Sequence, residues 1–252
     1  MSDFPTDHVL GATAHRPWPL PGGPWIMSQT WNDLLFAHWP VDARALRDHV
    51  PPGLDLDLFD GQAYVAVVPF HMTNVAPRGV PSIPLVSAFV ELNVRTYVTR
   101  DDKPGVYFFS LDANSQLAVT GARTMFGLPY FVASMTAEIA GRDVIYRSER
   151  TARDGAPAEF RARYRPAGSA FSAARGTLEW FLTERYCLYT VNDSFRAHRL
   201  EIHHPPWLLQ PAEAEIEVNT MAEAAGLRLP AMAALLHFAK RQDVVAWPMS
   251  QA

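Results

Sequence analysis

The chain has 252 residues, 48% hydrophobic and 12% aromatic, which suits a sizeable folded core and excludes a disordered chain. A formal net charge of −4 offers no general attraction to phosphate backbones, so no nucleic-acid partner is expected. Cys187 is the only cysteine, which excludes an intrachain disulfide and fits a reducing, cytoplasmic setting. No run approaches ~18 uninterrupted apolar residues, so no membrane span is expected.

The segment Met1 to His8 carries acids without an apolar centre and does not read as a signal peptide. Residues 1–25 form a proline-rich arm with Pro5, Pro17, Pro19, Pro21 and Pro24, a density that excludes helix and central strand. Trp18, Leu20 and Trp25 are apolar anchors that would lay 16–25 on the domain as an extended arm. Val41–Val50, between Pro40 and Pro51-Pro52-Gly53, predicts a short amphipathic helix burying Leu46 and Val50. Leu54 to Phe59 alternates with period two, Asp60-Gly61 makes a turn, and 62–71 resumes as a strand, which predicts a hairpin.

Strands are further predicted over 85–98, 105–113, 132–139, 142–151 and 157–165, with a second hairpin about Gly141. Late strands fit 199–204, 213–219 and 241–247. Helical pieces fit 221–226 and 230–239. With no repeat and no linker, the pattern predicts one mainly β (α+β) domain over 1–252, largely antiparallel, with a few short helices.

Several side chains carry possible chemistry. Alternation over 89–97 sends Glu91, Asn93, Arg95 and Tyr97 to one strand face, either a solvated face or the wall of a polar cavity. Inside a cavity, Glu91 would need Arg95 or Arg123 as a partner. Asp112 ends a strand and caps the next turn through Asn114 or Ser115. Glu184-Arg185-Tyr186-Cys187-Leu188-Tyr189 is rich in aromatics, and Tyr186 and Tyr189 are candidate pocket walls. Cys187 reads as a small buried hydrophobe. His203 and His204 are adjacent and face opposite ways on a strand, and His198 lies at an irregular spacing, so no metal site is expected. One of them, His203, is a candidate acid or base facing a pocket. Arg161, Arg163 and Arg165 alternate as on an edge strand guarded by charge. Only Lys103 and Lys240 are lysines, both in charged or turn segments. No glycine-rich phosphate loop is present, and no cofactor is expected.

The segment Gly121-Ala122-Arg123-Thr124-Met125-Phe126-Gly127-Leu128-Pro129-Tyr130-Phe131 resembles the active-site segment of the acetoacetate decarboxylase superfamily. There, two lysines follow the proline; one forms a Schiff base with the keto acid and the other lowers its pKa. Here those positions hold Tyr130 and Phe131. Trp31 to Pro40, Phe109 to Ala113, Glu184 to Tyr189 and His203-His204-Pro205-Pro206-Trp207 resemble the YqjF-like branch of that superfamily, a bacterial family of unassigned function. The likeness runs from about Trp31 to Trp247.

The resemblance implies a closed, cone-like antiparallel β-barrel around a central pocket and makes a homodimer or higher homo-oligomer the expected assembly. It also implies that Arg123 holds a substrate carboxylate, with Glu91 and Tyr130 handling protons. Arg95, Tyr97, Tyr186, Tyr189 and His203 complete the expected ligand-binding set. The functions that follow are a cofactor-independent lyase or hydrolase acting on a carboxylate or keto-acid-like small molecule without Schiff-base chemistry, by enolisation, hydration or hydrolysis. The alternatives are a non-catalytic metabolite-binding protein on the same scaffold or a diverged decarboxylase.

Overall fold

Residues 4–82, 87–192, 194–233 and 235–252 are described by the structure, a computed structural model. Helix α1 (Thr6–Gly11) precedes the long strand β1 (Met27–Val41) and the short helix α2 (Ala43–Arg47). Then come β2 (Asp55–Leu56), β3 (Ala63–Pro77), β4 (Phe89–Arg100), β5 (Lys103–Ala113) and α3 (Gln116–Phe126). The second half holds β6 (Tyr130–Ala140), β7 (Asp143–Arg150), β8 (Glu159–Pro166), α4 (Leu178–Thr183), β9 (Cys187–Val191) and β10 (Ala197–His203). β11 (Leu209–Asn219), a 3-10 turn at Glu223–Ala225, β12 (Leu235–Ala246) and β13 (Ser250–Gln251) complete it.

The strands close into rings. Pairing runs β5-β6-β7-β8-β11-β12-β1-β3-β4 and returns from β4 to β5. A second circuit leaves β5 through β9 and β10 and rejoins at β12. Two strands fork to allow this. β5 gives Val106 and Tyr107 to β9 and Leu111 to Ala113 to β6. β12 gives His237 to Ala239 to β11 and Val245 and Ala246 to β10. The expected antiparallel pattern holds except for β5–β6 and β5–β9, which are parallel. One strand edge shared by two partners leaves each only a short stretch to pair.

The strands common to both rings are therefore covered on both faces. Leu35, Val67, Leu92 and Val94 pack with Tyr146, Phe160 and Tyr164 into a filled core. The alternate residues Leu34, Phe36, Val68, Phe70, Glu91, Asn93 and Arg95 face an internal cavity. Burial on both faces explains why Ala63 to Phe70 of β3 is buried without interruption. The core tyrosines keep their hydroxyls paired, Tyr146 donating to the Glu91 carbonyl at 2.6 Å and Tyr164 to the Asp33 carbonyl at 2.8 Å.

Three expectations give way. The Asp60-Gly61 turn forms, with Phe59 and Gln62 exchanging backbone bonds and both turn residues at positive φ (49° and 80°). Its arms do not pair as a hairpin; β2 pairs instead with Val98 and Thr99 of β4. The β3–β4 pairing starts only at Val65 and Thr96, which leaves that end of β4 open. Residues 235–239, expected as helix, extend β12 between β1 and β11, because an apolar run packs as well in a strand covered twice. The arm does contain a helix: α1 starts just behind Pro5, where a missing N–H costs nothing, and buries Val9 against Val245 and Trp247. Residues 1–3, 85–86 and 234, which fall within expected elements, lie outside the described residues. Among the described residues no helix is long and apolar enough to cross a membrane.

Candidate active site

The cavity has a volume of about 260 Å³ and is walled by β1, β3, β4, β5, β9 and β10 under a roof made by α3. The roof presents Leu117, Ala118, Gly121, Ala122, Met125 and Phe126, one face of the helix. α3 begins at Ser115, whose side chain accepts from the Ala118 N–H, and ends at Gly127 in the left-handed region (φ 60°), whose N–H returns to the Arg123 carbonyl. This reversal feeds Leu128-Pro129 into β6, so Tyr130 enters the cavity beside Leu111. Phe131 turns the other way, under the Arg150 guanidinium at 4.0 Å from its ring centre.

Glu91 is buried in the cavity wall, and the Tyr130 hydroxyl donates to its Oε2 at 2.8 Å. Burial raises its pKa to about 7, against hydrogen bonds from Tyr130 and Asn93 that favour the charged form; Asp112 adds to the rise. Tyr130, desolvated and beside that carboxyl, is pushed well above the usual phenol range and stays a donor.

Further along β4, Arg95 lines the same cavity at 9% exposure. Among the described residues it has no carboxylate partner. Its Nη2 reaches the Leu182 carbonyl at 3.4 Å, its Nε has no hydrogen-bond partner, and its guanidinium lies over the rings of Phe36 and Tyr97. Arg185 also lines the cavity; it pairs with Asp57 through Nη1 and leaves Nη2 unpartnered. His204 lines it too, held neutral because burial lowers its pKa to about 4.

The structure thus brings Glu91, Tyr130 and Arg95 together and places the other expected residues elsewhere. Arg123 points away from the cavity: Nε donates to the Tyr130 carbonyl at 2.5 Å and Nη1 pairs with exposed Asp154 at 2.7 Å. The reason is helical phase, since a residue two positions beyond Gly121 is turned roughly 200° from it. Tyr97 lies in the core, its hydroxyl between Leu182 O and His38 Nε2. Tyr186 stacks behind His204 and donates to Glu184. Tyr189 donates to the Lys103 carbonyl, and His203 faces the N-terminal arm through the Val9 carbonyl.

Asp112 does not cap a turn; it binds Arg150 through both oxygens at 2.7 Å, while Ser115 alone caps α3 and Asn114 Oδ1 accepts from the Val90 N–H of β4. Arg163 and Arg165 pair with Asp143 and Glu213 on a strand flanked by β7 and β11, so β8 is not an edge. Lys103 pairs with Glu201 and Lys240 with Asp33, and neither lines the cavity. Asn93, Arg185, His204 and the α3 roof were not among the expected site residues. Alternation along β4 gives Asn93; nothing in the local pattern assigns Arg185, which sits between α4 and β9.

The DUF2071 family, described as an uncharacterized conserved protein, matches residues 28–243. The uncharacterized protein YqjF of Bacillus subtilis (strain 168) is 53% identical over 230 residues, 91% of this chain and 94% of that one. An acetoacetate decarboxylase-like enzyme from Sphingomonas wittichii RW1 superposes at TM-score 0.61 with 12% identity, over 96% of this chain and 98% of that one. The enduracididine biosynthesis enzyme MppR complexed with pyruvate superposes at TM-score 0.60 with 11% identity, over 95% and 94% of the two chains. At these identities the structural likeness concerns the fold alone. The chain belongs to the DUF2071 family and carries an acetoacetate decarboxylase-like fold.

Proposed function

We propose that the cavity is an active site for a small carboxylate or keto acid, with Arg95 as the anion anchor and Glu91 as the proton-transfer group. The observation that carries this reading is the Arg95 guanidinium, buried without a carboxylate partner among the described residues and facing the same cavity as Glu91. A buried charge without a counter-ion is costly, and a ligand carboxylate offsets that cost while taking a charge-assisted fork. A Glu91 pKa near 7 makes it both base and acid at neutral pH. In the step this suits, ionised Glu91 removes a proton from the carbon next to a ligand carbonyl. The C–H pair becomes the enolate double bond, and the carbonyl oxygen takes the charge. Asn93, whose amide nitrogen already donates one N–H to Glu91, has a second N–H for that oxygen, and Glu91 then returns the proton. No lysine lines the cavity, so the imine route has no amine.

The test is deuterium incorporation from D₂O into a panel of oxo acids with the carbonyl at position 2, at position 3 or further along the chain, followed by NMR. The wild type is expected to exchange α-protons of at least one acid, and Glu91→Gln to lose that exchange while still binding the acid. Binding without exchange in the wild type overturns the catalytic reading and leaves a binding protein. If no acid binds, the anchor fails as well.

A further inference from the structure

The cavity is polarised along β4. At one end, Arg95 sits among buried Phe36, Phe108, Thr183 and Cys187. At the other, Phe89 is only half-buried and β3 pairs Met72 with it, while β1 adds Trp31 beside Met72. Over this end lies Leu117, at the start of α3, which lines the cavity and yet is 71% exposed. The exposure gradient makes this end the mouth, and its lining is apolar. Phe89 and Arg95 are six residues apart on one strand, so the two ends are separated by roughly 20 Å along β4. A short keto acid held by Arg95 leaves the apolar end unoccupied.

The roof between the ends is cut low. Ala118, Gly121 and Ala122 face the cavity, and a Cβ built on Gly121 would meet nothing within 4 Å. Gly121 lies inside a helix without positive φ, where glycine is disfavoured relative to alanine or leucine. Neither backbone conformation nor packing within the chain calls for a glycine there. What a small residue does leave is room beneath α3.

We propose that the ligand is an amphipathic carboxylic acid: its carboxylate goes in first to Arg95, and its apolar tail runs under Gly121 and out past Met72, Phe89 and Leu117. This rests on Arg95 as the anion anchor proposed above. Glu91 and Tyr130 then flank the middle of the chain and not its head, so the carbon that exchanges a proton is removed from the bound carboxylate. An acid with a second carbonyl along its chain fits that placement.

The experiment is calorimetric titration of the full-length protein with butanoate, hexanoate, octanoate and decanoate, and with the matching methyl esters. Affinity is expected to rise about fourfold per methylene until the mouth is filled. The esters are expected to bind about ten- to a hundredfold more weakly than the acids. Gly121→Leu fills the roof at a helix position that favours leucine, so it should fold with an undiminished melting temperature. It is expected to weaken octanoate at least tenfold and butanoate less than twofold. Carboxylate-dependent binding that is flat in chain length, or Gly121→Leu without effect on octanoate, overturns this inference and leaves the Arg95 anchor standing. Chain-length dependence with esters as tight as acids overturns the anchor. No binding at any length overturns both.

Discussion

The Tyr130 phenol donates to Glu91 Oε2 at 2.8 Å, so the residue after Pro129, which by its resemblance corresponds to the imine-forming lysine of a decarboxylase, is a neutral donor to a buried acid. The bond favours the ionised carboxylate, against the desolvation that raises its pKa to about 7. Tyr130→Phe deletes this donor and little else. The Glu91 midpoint is expected to rise, by on the order of one pH unit for a charge-assisted bond of this kind. Carboxyl carbon shifts followed by NMR across pH read it directly; an unchanged or lower midpoint would mean that the bond does not stabilise the anion.

The same shift has a consequence for stability. The folded state holds the Glu91 proton up to about pH 7, whereas an unfolded glutamate releases it near 4.5. Between those values the native state binds more protons, so stability falls as pH rises. The loss attributable to Glu91 is present in full above its folded pKa and amounts to roughly 3 kcal/mol for a shift of this size. Buried His38, His203 and His204 are shifted downward and act with the opposite sign, each costing stability as the pH falls below the value of an unfolded histidine. The difference between wild type and Glu91→Gln isolates the carboxyl. The variant is expected to gain on the wild type from pH 4.5 to 7, as measured by urea unfolding. A pH-independent difference would place Glu91 in a more polar setting than the cavity wall described.

What the sequence discloses follows from what is local. Alternation along 89–97 separates Glu91, Asn93 and Arg95 from Leu92 and Val94, because period two is a property of one strand. Arg123 shows where such reasoning stops. Its neighbours resemble an active-site segment, yet 116–126 is a helix, and helical phase turns Arg123 onto the outer face while Gly121 and Met125 face in. Without that helix assigned, the two faces could not be told apart. The fork of β5 is not local at all. Whether Val106 pairs with β9 and Leu111 with β6 depends on chain more than eighty residues away in one case and about twenty in the other. Likewise β1 has no exposed position and is buried without alternation from Asp33 to Trp39, because both its faces are covered there.

The chain should form no Schiff base. Lys240 is 70% exposed and bound to Asp33, and Lys103 is bound to Glu201, so neither is a desolvated amine in the cavity. Borohydride reduction in the presence of acetoacetate or pyruvate is expected to leave the protein mass unchanged. A stable adduct at either lysine would show an amine route that the cavity lining does not contain.

Arg95 and Arg123 should separate cleanly on substitution. Arg123 pairs with Asp154 at the surface, and such pairs contribute about 0–1 kcal/mol, so Arg123→Ala is expected to melt near the wild type and to bind carboxylates as it does. Arg95→Met removes a buried cation without a counter-ion and keeps an unbranched stem, so stability should hold within about 1 kcal/mol or rise. Carboxylate affinity should fall about ten- to a hundredfold. Thermal melts and titrations on the same two variants check this; equal ligand affinity in Arg95→Met and wild type would remove Arg95 as the anchor.

The Asp112–Arg150 pair is structural and should behave so. Both side chains are almost wholly buried, with two parallel 2.7 Å bonds, and Arg150 also covers the Phe131 ring. Arg150→Met strands a carboxylate that already raises the pKa of Glu91. The expected cost is about 3–5 kcal/mol at neutral pH, since removal of one partner leaves the other desolvated and unpaired. Adding Asp112→Asn removes the stranded charge, and the double variant should recover most of that loss. Lowering the pH should help the single variant through protonation of Asp112. The coupling is read from a double-mutant cycle of urea unfolding at pH 7. Additive effects of the two substitutions would show that the pair contributes no interaction of its own, and that the packing of Phe131 and the carbonyl bond to Ala156 account for the role of Arg150.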